Sequence, residues 1–128
     1  MGLKCMRALI LGCMVAVIGA WGVACSSPTV CDLSFEYGMS IYVRDSASGA
    51  GLANGSTVVV RDGSFLDSLA ATFTTPSDGP FLSAGERAGT YTVTVLHNGY
   101  QTWTKAGVVV TRGACHVNHI DVIVRLQP

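Results

Sequence analysis

From Leu33 onward the chain alternates. Its odd positions read Leu33, Phe35, Tyr37, Met39, Ile41 and Val43, against Asp32, Ser34, Glu36, Gly38, Ser40, Tyr42 and Arg44 at the even ones. Successive side chains on a strand point to opposite faces, so a period of two sustained this long specifies a strand with one buried face. Gly38 is a natural place for that strand to bend. The same signal recurs downstream. "STVVVRD" (Ser56–Asp62) is β-branched, and "GTYTVTVLH" sets Tyr91, Val93 and Val95 against Thr90, Thr92 and Thr94. "YQTWT" and "AGVVVT" read as two further short strands. "HVNHIDVIVRL" places His116, Asn118, Ile120, Val122, Val124 and Leu126 on one face, and Cys115, Val117, His119, Asp121, Ile123 and Arg125 on the other.

The punctuation between these runs suits strand connections. "DSASGAGLANGS" and "PSDGP" are rich in turn formers, and Asn98-Gly99 predicts a type I′ hairpin turn, in which both central residues need positive φ. "FLDSLAAT" (Phe65–Thr72) is the nearest approach to a helix, and reads either as one helical turn or as an irregular edge strand. The expected architecture is therefore all-β: a Greek-key β-sandwich of about seven strands.

Residues 1–24 break the pattern. They carry Lys4 and Arg7 and then no charge before Asp32. A basic start, an apolar run and small residues at the end predict a secretory signal. As a membrane span the run is at the short limit of about 17–25 residues, and it contains Gly12, Gly19 and Gly22. Its end, "GVACSS", resembles the bacterial lipoprotein signal, in which small residues precede a cysteine that is lipidated and becomes the first residue of the mature chain. Val23, Ala24 and Cys25 fit, while Gly22 stands where a branched aliphatic residue is usual. The resemblance implies a lipid at Cys25 and a protein held on a membrane of the bacterial cell envelope. Ser26 is compatible with the outer membrane, facing periplasm or exterior. The alternative is an ordinary cleaved signal that leaves Cys25 a plain cysteine. Residues 25–31 then read as a short tether, and residues 32–128 as one domain.

Five cysteines are present: Cys5, Cys13, Cys25, Cys31 and Cys115. The first two leave with the expected signal. If lipid takes the third, as the lipoprotein resemblance implies, Cys31 and Cys115 remain as a natural pair in an oxidising compartment; without it an odd cysteine is left. Cleavage also removes Lys4 and Arg7, leaving six basic residues against eight acidic and a net charge near −2. No basic patch or arm accompanies this, so nucleic acid is not an expected partner.

"IYVRDSASGAGLANGSTVVVRDG", "ERAGTYTVTVLHNGYQTW" and "GVVVTRGACHVNHIDVIVRL" resemble the carboxypeptidase regulatory-like family, across about Ser40–Leu126. The resemblance implies a prealbumin-like (transthyretin-like) sandwich and a module without the catalytic carboxypeptidase domain. The H-x-x-E zinc motif of that enzyme is absent here, since His119 follows His116 at +3. So is the Y-R-G-S ending of the hydroxyisourate hydrolases that share the fold, for this chain ends "VRLQP".

"ACHVNHIDV" crowds Cys115, His116 and His119 into five positions, a string that suggests a transition-metal site, with His97 as a further imidazole. On a strand, however, His116 and His119 face opposite ways. Cys115 and His119 share a face but lie about 13 Å apart at about 3.3 Å per residue. Ligands must sit at about 2.0–2.3 Å from one zinc ion. No metal is therefore expected; the stretch reads as the disulfide-bonded start of the last strand, with His116 inward and His119 outward. "RDSASGAG" and "RDGSFLD" lack calcium-loop spacing and read as turns capped by Asp45 and Asp62. No G-x-S-x-G motif is present, and no cofactor motif. Tyr42, Tyr100 and Trp103 are the candidate ligand-binding residues, because exposed aromatics stack on sugars or dock protein strands. The expected function is a non-catalytic, lipid-anchored envelope module for protein interaction, adhesion or scaffolding. The alternative is a carbohydrate- or peptide-binding domain, and a metal-binding or hydrolytic protein around His97, His116 and His119 ranks below both.

Overall fold

The computed structural model describes residues 27–73 and 75–128. Residues 27–36 form an arm without regular secondary structure, bent at Leu33, and seven strands follow. These are β1 (Tyr37–Asp45), β2 (Ser56–Asp62), β3 (Phe65–Ala70), β4 (Phe81–Gly85), β5 (Gly89–His97), β6 (Trp103–Val110) and β7 (Ile120–Leu126). One sheet has the order β4-β1-β7 and the other β3-β2-β5-β6. The β1–β7 pair is parallel, with Met39 opposite Ile120 and Asp45 opposite Leu126, and the remaining pairs are antiparallel.

The period of two explains the core. Met39, Ile41 and Val43 point inward from β1, Val58 and Val60 from β2, and Tyr91, Val93 and Val95 from β5. Val108 and Val110 of β6 and Val122, Val124 and Leu126 of β7 complete it. Burying each such side chain stabilises the fold by about 1.5–3 kcal/mol relative to leaving it in water. Two sheets, seven strands and no helix among the described residues agree with the expected sandwich.

Several local expectations are corrected. The first strand begins at Tyr37, and Leu33 and Phe35 are exposed despite their alternation. The ladder with β4 starts only at the Tyr37–Gly85 pair, so the residues before it have no strand to lie against. Gly38 is not a bend but a close contact: a Cβ there would meet Val110 Cγ1 at 2.7 Å and the Ala84 carbonyl at 2.8 Å. Of the two readings of "FLDSLA", the edge strand holds: it is β3, at the edge of its sheet. The two strands read in "YQTWT" and "AGVVVT" are one, β6, with an irregularity opposite Tyr91–Val93. The Asn98-Gly99 turn has positive φ only at Gly99, because the connection between β5 and β6 runs over five residues, not two. β4 is short and carries no legible signal in the sequence.

The strand directions give the sandwich two ends. One gathers the arm, the β2–β3 turn, the β4–β5 connection and residues 111–119. The other gathers the β1–β2 and β5–β6 connections and the C-terminus of β7.

Candidate functional site

At the arm end, Cys31 and Cys115 form a disulfide with their Cα atoms 5.2 Å apart and 84 residues apart in sequence. His116 follows directly. Its Nδ1 lies 2.7 Å from Glu86 Oε1 and its Nε2 lies 2.8 Å from Asp32 Oδ1. Ionised carboxylates only accept, so both ring nitrogens donate and the imidazolium is the form that fits. The hydrogen bond to Glu86, and then that to Asp32, raise the His116 pKa above its ordinary value. Glu86 is lowered, first by the Glu36 backbone N–H and then by His116, and Asp32 is lowered by Ser34 and then by His116. The arm is bound along its length. Glu36 N donates to Glu86 Oε1 at 2.8 Å, Glu86 N returns a bond to Glu36 O at 2.8 Å, and the Phe35 ring lies against Gly85.

The expected orientation of the histidines is revised. Residues 115–119 are not strand; Gly113 N donates to His116 O at 2.7 Å, and β7 starts only at Ile120. Val117, read as outward, is buried in the core, and half-buried His116 turns to the arm. His119 is exposed as expected, and its Nδ1 donates to the Tyr37 carbonyl at 2.8 Å. The strand spacing used to separate these residues thus does not apply.

Ser34 Oγ, His116 and Glu86 together mimic a hydrolytic triad, with Ser34 Oγ 3.3 Å from His116 Nε2. The chemistry fails on protons. A triad needs a neutral imidazole whose Nε2 takes the hydroxyl proton. Here Nε2 donates to Asp32, and Ser34 Oγ donates to the same Asp32 oxygen at 2.7 Å. Nor do the carboxylates converge on a common centre with the imidazole, since they sit at opposite nitrogens of the ring. Among the described residues no three His, Cys, Asp or Glu side chains are grouped to hold a metal ion. The cluster is a latch for the arm.

The far end holds His97. Ser56 Oγ donates to the Leu52 carbonyl at 2.6 Å, which commits the only hydroxyl proton it has. His97 Nδ1, 3.0 Å from the same Oγ, is therefore the donor in that pair. The Tyr100 ring packs edge-on against the imidazole, 5.1 Å between centroids. Tyr100 OH in turn donates to Asp45 Oδ2 at 2.7 Å. Asp45 is held down to about 2, chiefly by the Ser48 backbone N–H and then by Tyr100. An open groove of about 330 Å³ lies beside His97, lined by Gly55, Thr57, Leu96, Asn98 and Thr102 as well.

The aromatic candidates are dispersed. Tyr100 and Trp103 are half-buried and pack against the core, and half-buried Tyr42 belongs to β1, in the other sheet. Asp45 caps its turn as expected, accepting from Ala47 N and Ser48 N. Asp62 instead accepts from Arg87 at 2.7 Å. Cys25 and residues 1–24, read as a secretory signal, lie outside the described residues. Asp32, Ser34 and Glu86 escaped the sequence reading because each reaches His116 from 30 residues away or more.

A comparison with curated proteins found no match. The family model described as the carboxypeptidase regulatory-like domain matches residues 38–123, from the second residue of β1 into β7. That family is a non-catalytic β-sandwich, and the match covers both sheets and most of the chain. With seven strands in the expected two-sheet arrangement, the chain belongs to the carboxypeptidase regulatory-like domain family.

Proposed function

We propose that this chain is a non-catalytic module of the bacterial cell envelope, held on a membrane by lipid at Cys25, and acting in protein interaction, adhesion or scaffolding. The observation that carries this reading is the Cys31–Cys115 disulfide together with the His116 latch. Both fasten the N-terminal arm to one end of the sandwich. Cys31 lies six positions after Cys25, a reach of at most about 22 Å when fully extended. A lipid there keeps the arm end close to the membrane and leaves the opposite end facing away. A disulfide also suits an oxidising compartment outside the cytosol. The imidazolium form of His116 supports a role without catalysis.

The test is the intact mass of membrane-extracted protein, with and without reduction, beside a Cys25→Ser variant. The reading requires acyl mass at Cys25, a gain of two hydrogens on reduction, and release of the variant into the soluble fraction. An unmodified Cys25, or a variant that stays on the membrane, overturns it.

A further inference from the structure

We propose that a second copy of this chain docks on the free edge of β7, the two β7 strands running antiparallel with Ile123 opposite Ile123 of the second copy. The sheet β4-β1-β7 then continues into its twin. The choice of edge is the first reason. β3, β4, β6 and β7 stand at sheet edges, and the first three carry features that blunt strand addition. β3 turns Asp67 inward, where it accepts from Ser83 Oγ at 2.7 Å. β4 holds Ala84 at φ 56° and is followed by Glu86 at φ 48°. β6 holds Gly107 at φ 71° and slips its register opposite Tyr91–Val93. β7 has no glycine, proline, positive φ or register shift, and Ile120, Val122, Ile123 and Val124 are β-branched. Such an edge is a template for another strand.

The backbone of β7 points the right way. Leu126 O accepts from Ser46 N on the β1 side, and Gln127 O accepts from Gln101 N on the other. Successive residues of a strand direct their N–H and C=O groups to opposite edges. Asp121, Ile123 and Arg125 share the parity of Gln127, so theirs face the open edge. Their side chains alternate with buried Val122, Val124 and Leu126 and lie on the outer face of the sheet. An antiparallel pair centred on Ile123 therefore sets 121 opposite 125, 123 opposite 123 and 125 opposite 121, each as a hydrogen-bonded pair.

The side chains are self-complementary in that register. Asp121 meets Arg125 of the second copy, and the two-fold repeats the pair. Opposite charges directly across a sheet stabilise it, and like charges destabilise it. Antiparallel pairing centred on Asp121 or on Arg125 sets like charges opposite, and parallel in-register pairing does so at both. Arg125 has no ion-pair partner among the described residues. Its neighbour on β1, Arg44, is already held by Asp78 at 2.6 Å. His119 Nε2 lies 3.3 Å from Asp121 Oδ1, which leaves Oδ2 for the guanidinium. Ile123 is 46% exposed and lies beside Tyr42 of β1, so the two copies join Tyr42 and Ile123 into one apolar row across four strands. The pairing stands whether or not lipid is attached at Cys25.

The experiment is disulfide trapping in the full mature protein, in whichever fraction holds it. Ile123→Cys is compared with Val109→Cys, an equally open position (51% exposed) on the edge strand of the other sheet. In a hydrogen-bonded pair the two Cα atoms lie about 5.5 Å apart, within the reach of a disulfide at about 4.4–6.8 Å. Under mild oxidation by diamide, Ile123→Cys should give a reducible dimer beyond that of the unsubstituted protein, about 10-fold or more faster than Val109→Cys. Adding Asp121→Arg or Arg125→Asp to Ile123→Cys should slow trapping about 5- to 50-fold, because each sets like charges opposite at both ends of the pair. Both reversals in one chain restore the rate, and so does a mixture of the two singly reversed proteins, in which unlike charges again meet. Equal trapping at positions 123 and 109 overturns the inference. So does a rate that ignores the single reversals, or one that neither the double reversal nor the mixture restores.

Discussion

His116 and Glu86 face one another at 2.7 Å from opposite sides of the arm end, and Asp32 of the arm holds the other nitrogen of the same ring at 2.8 Å. The arm is therefore docked through a charge that one proton creates. His116 is raised above 6.5, so its contribution is complete below that pH and fades as the pH climbs through the raised folded value. Asp32 and Glu86 are lowered from 3.8 and 4.5, so theirs is complete above those values and fades as the pH falls through the lowered ones. Docking should be firmest between about 4.5 and 6.5. Hydrogen exchange at the Glu36 amide, corrected for intrinsic rates, reads this directly. Protection should fall toward pH 9, and His116→Gln should flatten the alkaline limb. Equal protection at pH 5.5 and pH 9 in the unsubstituted protein would contradict the latch.

The disulfide acts on the whole domain. It closes a loop of 84 residues between the arm and the segment before β7. Removing it by Cys31→Ser with Cys115→Ser should lower stability by about 2–4 kcal/mol. Urea denaturation measures the loss. Reductant should shift the unsubstituted protein to the same midpoint and leave the double variant where it is. A reductant effect on the variant would place the stabilisation elsewhere.

The parts of this fold that a single stretch of chain dictates were legible. Val93 and Val95, or Val122 and Val124, alternate with half-buried or exposed neighbours because each strand meets core on one side only. The same alternation misled at Leu33 and Phe35, where the pattern persists but no partner strand does. It misled again at Val117, which a turn, not a strand, carries into the core. The Cys31–Cys115 pairing followed from counting cysteines. The carboxylates around His116 did not, because side chains from three segments meet there only after both sheets are closed. The Ser56–His97 contact was hidden for a similar reason. Ser56 fixes the imidazole through a register between β2 and β5 that neither strand specifies alone.

Gly38 tests how closely the two sheets pack. A methyl group at this position would press on Val110 Cγ1 of β6 and on the Ala84 carbonyl of β4 at once, and one of the two is backbone. Gly38→Ala should therefore cost about 1–3 kcal/mol, as overpacking does elsewhere. Thermal or urea unfolding gives the figure. A variant as stable as the parent would mean that β4 can move away freely.

Tyr100 joins the far end to the hairpin turn after β1 through its hydroxyl on Asp45. The Asp45 carboxylate also accepts the Ser48 and Ala47 amides at 2.7 and 2.8 Å, and the three bonds hold its pKa to about 2, down from 3.8. Tyr100→Phe keeps the ring beside His97 and removes one of the three. The Asp45 midpoint should rise while staying below 3.8, since the amide bonds remain. A lowered folded pKa contributes stability that is present above 3.8 and lost as the pH falls through the folded value. In the variant that contribution is smaller and its loss begins at higher pH. Carbon-detected NMR titration of the Asp45 carboxylate, followed from pH 5 to pH 1.5, resolves the two midpoints. An unmoved midpoint would show that the Tyr100 hydroxyl does not hold Asp45 in solution.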